Sequence, residues 1–220
     1  MNWKRIKNSI TIIAVITVLA ACEKDKLTSE PQEIYSCPYN MDQYSVVFPD
    51  VYSESDGIIP MNMNNYWRYA DSAWDESGNL TQVDEFLMEV TEVGVLNQEA
   101  WWRTTFSPLR IFHQSDEGIS DLQTSLSGCN FKADVYPIFT GDTLDTSVSI
   151  FGDVLTEMIA YKMNTFDTPV GSFTDCIFYH KINYDQTVLK PGIGILEWKT
   201  GFESGSLAGR KFTLMEYYIE

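Results

Sequence analysis

The chain has 220 residues and a formal net charge of −16, with 44% hydrophobic and 14% aromatic residues. This length suits one domain with a sizeable core, and the apolar content excludes a mainly disordered chain. An acidic surface without a Lys/Arg stripe repels phosphate backbones, so nucleic acid is excluded as a partner.

The first 21 residues have the pattern of a cleavable signal peptide. Lys4, Arg5 and Lys7 give a basic start, and residues 10–20 form an apolar run without a charge. This run is shorter than the roughly 20 apolar residues that span a bilayer, which is typical of a signal peptide. The sequence therefore predicts export from the cytoplasm.

The signal ends in Leu-Ala-Ala-Cys at residues 19–22, which resembles the lipobox of bacterial lipoproteins. The resemblance implies cleavage before Cys22, lipidation of its thiol and acylation, for example with palmitate, of the new amine. Two or more acyl chains anchor a protein stably, so the membrane is the first expected partner. The alternative is a free thiol behind an ordinary signal peptide.

Residues 22–57 are interpreted as a lipid-anchored tether and N-terminal arm. Lys24-Asp25 resembles the signal that sends Bacteroidota lipoproteins to the cell surface. The expected location is the outer membrane, with the cell surface and the periplasmic face both left open. Within the arm, residues 44–48 predict one early strand.

Residues 58–220 are expected to form a single all-β domain. Segments 65–70, 84–93 and 100–106 alternate or are rich in aromatic residues, and short turns separate them, which predicts an antiparallel meander. Three more strands are expected at 174–182, 193–198 and 211–219, whereas residues 152–163 fit either a short helix or a strand. The predicted fold is one curved antiparallel sheet, either a half-barrel or a barrel.

Three cysteines remain once Cys22 carries lipid. Cys37, Cys129 and Cys176 allow one disulfide and one free thiol in an oxidising envelope. A bond from Cys37 to either of the others would join the arm to the domain. Sequence alone leaves the pairing open.

Catalytic and metal-binding motifs are not found. His113 and His180 are the only histidines, and they lack the spacing of zinc ligands. No nucleophile elbow or Cys-x-x-Cys is present. We therefore expect no enzyme, no metal and no cofactor, although 31 acidic residues keep an acid/base hydrolase as the third hypothesis.

The tryptophans are the candidate ligand-binding residues. Trp101 and Trp102 are adjacent in a predicted strand, so their rings face opposite sides of the sheet. Together with Trp67 they offer rings for stacking on a glycan, if they are exposed. The alternative is that a helix or the N-terminal arm covers them.

Three segments resemble envelope lipoproteins of Bacteroidota that have no assigned activity. They begin at Pro60 (Pro-Met-Asn-Met-Asn-Asn-Tyr-Trp-Arg-Tyr), Thr168 (Thr-Pro-Val-Gly-Ser-Phe-Thr-Asp-Cys) and Lys190 (Lys-Pro-Gly-Ile-Gly-Ile-Leu-Glu-Trp). Asn64 stands where glycine is usual, and Val170 where alanine is usual. The resemblance implies a curved sheet similar to lipoprotein-carrier half-barrels, and it implies no chemistry.

Two short patterns resemble the Asp-Ser/Thr-apolar acceptor of Bacteroidota O-glycosylation. They place candidate acceptors at Ser72 and Thr143. For the domain as a whole we expect a non-enzymatic binding or envelope-accessory role. Its ligand would be an apolar molecule or an envelope protein on the concave face, with a glycan-binding module as the alternative.

Overall fold

The structure is a computed structural model that describes residues 37–47, 57–105, 111–124, 128–151, 154–182, 185–201 and 208–220. Residues Cys37–Glu220 form one compact unit. Within the described ranges, a 3₁₀ turn at Met41–Gln43 is followed by thirteen strands: β1 (Ser45–Val46), β2 (Tyr66–Trp74), β3 (Leu80–Leu96), β4 (Glu99–Thr104), β5 (Phe112–Ser115), β6 (Gly118–Thr124), β7 (Asn130–Pro137), β8 (Thr143–Phe151), β9 (Val154–Thr168), β10 (Gly171–Lys181), β11 (Asp185–Lys190), β12 (Gly194–Thr200) and β13 (Gly209–Tyr218).

All of these strands belong to one antiparallel sheet that curls into a nearly closed, barrel-like shape. The strand order is β7-β6-β5-β4-β3-β2-β13-β12-β11-β10-β9-β8, with β1 added beside β3. The two ends of this path, β7 and β8, lie next to each other and leave one unsealed seam. The predicted all-β class and the single curved antiparallel sheet are confirmed.

Strand β9 occupies the segment that the sequence left open between helix and strand. Residues 155–161 alternate strictly, with Met158 and Ala160 buried and Leu155, Ile159 and Tyr161 exposed. A period of two is the signature of a strand with one buried face. The helix alternative for residues 152–163 is therefore wrong for the part of this segment that the structure describes.

Strand β3 is 17 residues long and connects the two halves of the sheet. Its first half pairs with β2, from Leu80 to Glu89, and its second half pairs with β4, from Val90 to Leu96. The register shifts between Val90 and Glu92. Such a bulge bends a strand and increases its twist, which lets one strand serve both halves of a curved sheet.

The segment before β2 covers part of the sheet interior. Ile58, Ile59 and Met61 are buried, and the backbone amide of Ile59 donates to Gln114 Oε1 at 3.0 Å. The Gly192 amide donates to the carbonyl of Ile58 at 3.2 Å. This irregular segment therefore contributes to the core as a strand would, while side-chain and turn groups satisfy its backbone.

Two of the three segments that carry the family resemblance pack against each other. Trp67 Nε1 donates to the carbonyl of Ile193 at 2.6 Å, and Tyr69 Oη donates to that of Ile195 at 3.0 Å. Gly194 has φ +111, and a Cβ built there would meet Trp67 Nε1 at 3.1 Å. Glycine is thus required by both backbone conformation and space, and these motif residues have a structural role.

The N-terminal arm, residues 37–47, lies on the outer face of the strands β3 to β7. A disulfide joins Cys37 to Cys129 just before β7, with 5.0 Å between the Cα atoms. β1 pairs with the end of β3 through Ser45 and Val95.

Among the described residues, none forms a helix with the length and hydrophobicity needed to cross a bilayer.

Candidate functional site

The three candidate tryptophans are all fully buried. Trp67, Trp101 and Trp102 each expose 0% of their surface. Trp67 and Trp102 belong to the main core between the curved walls of the sheet. No ring of the three presents a face on which a sugar could stack, so the condition for glycan binding through these residues, an exposed ring, is not met.

Trp101 points to the opposite face of β4, and the arm covers it there. The Tyr39 ring meets Trp101 edge-on with 5.7 Å between centroids, and the His113 ring lies 5.2 Å away on the other side. With Leu96 and Ile111, Trp101 forms a small second core beneath the arm. The N-terminal arm thus covers the Trp101 ring, as the alternative to an exposed ring predicted.

A polar cluster around Glu99 borders this second core. Its carboxylate accepts from Tyr39 Oη at 3.1 Å and from Lys132 Nζ at 3.1 Å, and His113 Nε2 lies 3.8 Å away. Burial, together with the charge of Glu99, raises the pKa of Tyr39 to about 12. The ring nitrogen His113 Nδ1 contacts the Ala100 carbonyl at 2.9 Å. The cluster therefore fastens the arm, and His113 is held by structural partners.

Cys176 is the free thiol of the described residues, and it is not positioned for nucleophilic chemistry. Its side chain is buried, with Sγ 3.6 Å from the Phe173 carbonyl. Burial raises the pKa of this thiol, which disfavours the reactive thiolate. It occupies the core as a small apolar residue.

The concave face of the sheet is filled by aromatic side chains. Trp198 stacks on Phe212 with 4.8 Å between centroids, and Phe86 meets Phe212 edge-on at 5.9 Å. A pocket among these rings has a cavity volume of about 10 Å³ and is lined by Tyr69, Phe86, Met88, Ile195, Trp198 and Phe212. This volume holds roughly one water molecule, whereas drug-sized ligands need about 300 Å³ or more.

An ion pair stands beside this aromatic cluster. Both Arg210 guanidinium nitrogens Nε and Nη2 donate to the two oxygens of Asp71, the first at 3.1 Å. Asp71 is buried, and the guanidinium carbon also lies 5.3 Å from the Phe212 ring centroid. A bidentate pair of this kind satisfies the buried carboxylate and fixes the adjacent strands β2 and β13.

A second set of polar residues lies inside the sheet, where β6 and β7 face β10 and β11. Tyr136 is its centre: the phenol hydroxyl is 3.1 Å from Thr187 Oγ1, and Lys181 Nζ lies 4.7 Å from the ring centroid. Burial and the nearby Asp185 charge raise the pKa of Tyr136, and the Asp121 charge contributes in the same direction. These groups come from four strands, and no sequence spacing brings them together. They form a polar cluster whose contacts, Tyr136 with Thr187 and with Lys181, lie within the domain.

The remaining predicted site residues differ in accessibility. Ser72 is half-buried in the middle of β2, between Lys211 on β13 and Val83 on β3, whereas Thr143 is exposed at the first position of β8. The Thr143 side chain is therefore accessible without opening the sheet, and glycosylation of either residue stays a prediction. Cys22 lies outside the described residues. Within those residues no group of three His, Cys, Asp or Glu side chains could hold a metal ion.

Fold and interior together define a class: an all-β, barrel-like domain in which, among the described residues, aromatic side chains pack on the concave face. No family model and no curated protein matches the sequence. Among solved structures, the chain is similar to a crystal structure described as a putative lipoprotein from Parabacteroides distasonis, with a TM-score of 0.33 and 14% identity. The match covers 75% of this chain and 100% of that one. A TM-score this low supports no argument about fold or function.

Proposed function

We propose that this protein is a lipid-anchored protein of the bacterial outer membrane that binds a partner protein and catalyses no reaction. The proposed location is inferred from the sequence. A basic start and an apolar run lead into Leu-Ala-Ala-Cys, and the resemblance of these four residues to a lipobox implies acylation of Cys22. A lipid anchor also accounts for membrane attachment in a protein with a net charge of −16, which anionic headgroups repel.

The packed aromatic side chains on the concave face favour a protein partner over an apolar small molecule. Its aromatic pocket has a volume of about 10 Å³, far below that of an acyl chain or an isoprenoid. Since this pocket gives an apolar ligand no room, we assign binding to the outer surface of the domain. An outer surface suits a protein partner, because protein interfaces need area and complementarity more than a deep cavity.

Two measurements test the proposal. Cells that express the full chain are fed an alkyne-tagged palmitate, and label is expected on the wild type and absent from Cys22→Ser. Absence of label from the wild type would contradict the anchor.

Native mass spectrometry of the protein purified from its own envelope tests the partner. We expect the mass of the acylated chain, alone or with a bound protein. An additional mass of a fatty acid or isoprenoid that is lost on denaturation would contradict the protein-partner proposal in favour of a carrier. Covalent acylation of Cys22 and a noncovalently bound lipid both add mass to the chain. A Cys22→Ser sample, which cannot be acylated at this position, therefore separates the two.

A further inference from the structure

The outer face of β9 carries a strip of exposed apolar side chains. Leu155, Ile159 and Tyr161 are 67%, 41% and 39% exposed, and they point away from the core because Thr156, Met158 and Ala160 are buried on the other face of β9. Phe178 lies opposite Tyr161 on β10, with 4.9 Å between ring centroids. These four residues are the β9 strip. Ile159, Tyr161 and the half-buried Phe178 are neighbours, and Leu155 lies beyond Glu157 on the same face. Grouped apolar residues of this kind mark an interaction site more often than scattered single residues do.

Two carboxylates border the β9 strip without partners. Asp145 on β8 faces Ile159 directly, and Glu157 stands between Leu155 and Ile159 on the same face of β9. Within the described part of the chain, neither side chain has a hydrogen bond or an ion pair. Both charges are therefore available to a binding partner.

Leu87, another exposed apolar residue of the sheet, has charged neighbours that differ from those of the β9 strip. Leu87 on β3 faces Arg68 on β2, and Arg68 lies 3.8 Å from a Glu85 oxygen and 3.6 Å from a Glu216 oxygen. Glu85 and Glu216 beside Leu87 thus lie next to a cation of the domain itself. The β9 strip differs because, within the described residues, neither Asp145 nor Glu157 has an ion pair.

We propose that the β9 strip is the docking surface for the partner, and that the partner presents apolar side chains flanked by lysine or arginine. This deepens the proposed function and rests on it. Charge complementarity selects the occupant: cations of the partner would pair with Asp145 and Glu157 while its apolar residues cover Ile159 and Tyr161. A second copy of this chain, or an anionic bilayer, would bring like charge to a protein of net charge −16.

Site-specific photo-crosslinking in cells tests this surface. The photoreactive amino acid p-benzoylphenylalanine replaces Tyr161 in the full chain, and in a matched control it replaces Tyr218, which is 48% exposed on β13. Both positions tolerate a modified ring because they are exposed, and unchanged thermal unfolding verifies folding. We expect a protein adduct from position 161 that is at least tenfold more abundant than from position 218.

Peptide sequencing of the adduct decides between occupants. A crosslinked segment with apolar residues and neighbouring Lys or Arg supports the proposal. A crosslink to a second copy, to lipid, or to an acidic segment overturns it, and so does the absence of an adduct at position 161.

Charge removal supplies an independent readout. Asp145→Asn with Glu157→Gln should lower the adduct yield about fivefold, since two exposed ion pairs are lost. The control Glu76→Gln with Glu117→Gln changes the net charge equally at two exposed turn positions and should leave the yield unchanged. Equal yields from both double variants would refute the role of the two carboxylates. Loss of palmitate label with retention of the adduct would refute the anchor and leave the docking surface standing.

Discussion

The disulfide between Cys37 and Cys129 should be the largest single contribution to the stability of the arm and of the domain to which it is joined. The two cysteines are 92 residues apart in sequence. In the chain-entropy model, closing a loop of about 90 residues in the unfolded state removes entropy worth about 4–5 kcal/mol at 25 °C. Opening the bond also frees the arm to leave Trp101, which is fully buried beneath it.

The assay is equilibrium unfolding in guanidinium chloride, followed by tryptophan fluorescence, on the chain from residue 22 with Cys22→Ser. Cys37→Ser with Cys129→Ser should lower the free energy of unfolding by about 3–5 kcal/mol relative to the oxidised protein. The matched control is the same pair of proteins in reductant, where their unfolding curves should coincide. A thiol titration checks the pairing: no thiol should react quickly in the native protein, since Cys176 is buried, and one should react after unfolding.

A loss below about 1 kcal/mol would refute this reasoning. It would mean that the unfolded chain already keeps the two segments close, or that the arm contributes nothing to the native state. Reaction of two or more thiols after unfolding of the oxidised protein would show that the bond does not form.

Three further changes test the interior and the arm. Arg210→Gln should cost roughly 2–3 kcal/mol of unfolding free energy in urea, because it leaves the buried Asp71 carboxylate without its cation; adding Asp71→Asn should restore part of that loss, and a further loss would contradict the pairing. Gly194→Ala should lower stability by roughly 1–3 kcal/mol more than Gly141→Ala, since both have positive φ but only Gly194 has a neighbour within reach of the new Cβ; equal losses would assign the effect to φ alone. The pKa of Tyr39 is raised to about 12, so the folded state holds this proton more tightly than the unfolded state. Its contribution to stability is complete below pH 10 and is lost as pH rises towards 12. Between pH 8 and 12 the midpoint temperature of thermal unfolding should therefore fall less steeply for Tyr39→Phe than for the wild type. Parallel curves of this temperature against pH would refute the linkage.

The strands with a clear period of two could be predicted from the sequence, and their ends could not. Residues 84–93 alternate and mark β3, yet the strand continues in both directions from Leu80 to Leu96. Its outer residues are exposed on both faces near Leu80, so no hydrophobic pattern distinguishes them from a loop. Pairing with β2 holds them in the sheet, and that pairing is a tertiary effect.

The environment of the tryptophans shows a second limit. Adjacency placed Trp101 and Trp102 on opposite faces of one strand, as β4 has them. Which face is covered depends on the arm, and the arm is held by Cys129, 28 residues further along the chain. Likewise Lys181 and Tyr136 meet only because β7 and β10 face each other across the interior. Contacts between strands that are distant in sequence leave no local pattern to read.

The position of β13 in the sheet sets the order in which the protein can fold. β13 is the last strand in chain order, but it lies in the middle of the sheet, between β2 and β12. Until residues up to Tyr218 have emerged, strands β2 to β7 and strands β8 to β12 are two separate sheets with open edges. The pairing of β2 with β13 joins segments more than 130 residues apart, and closing so long a loop makes folding slow. A sheet that only its last strand completes keeps the chain from reaching its native state during synthesis, which is what the export predicted from residues 1–21 would require.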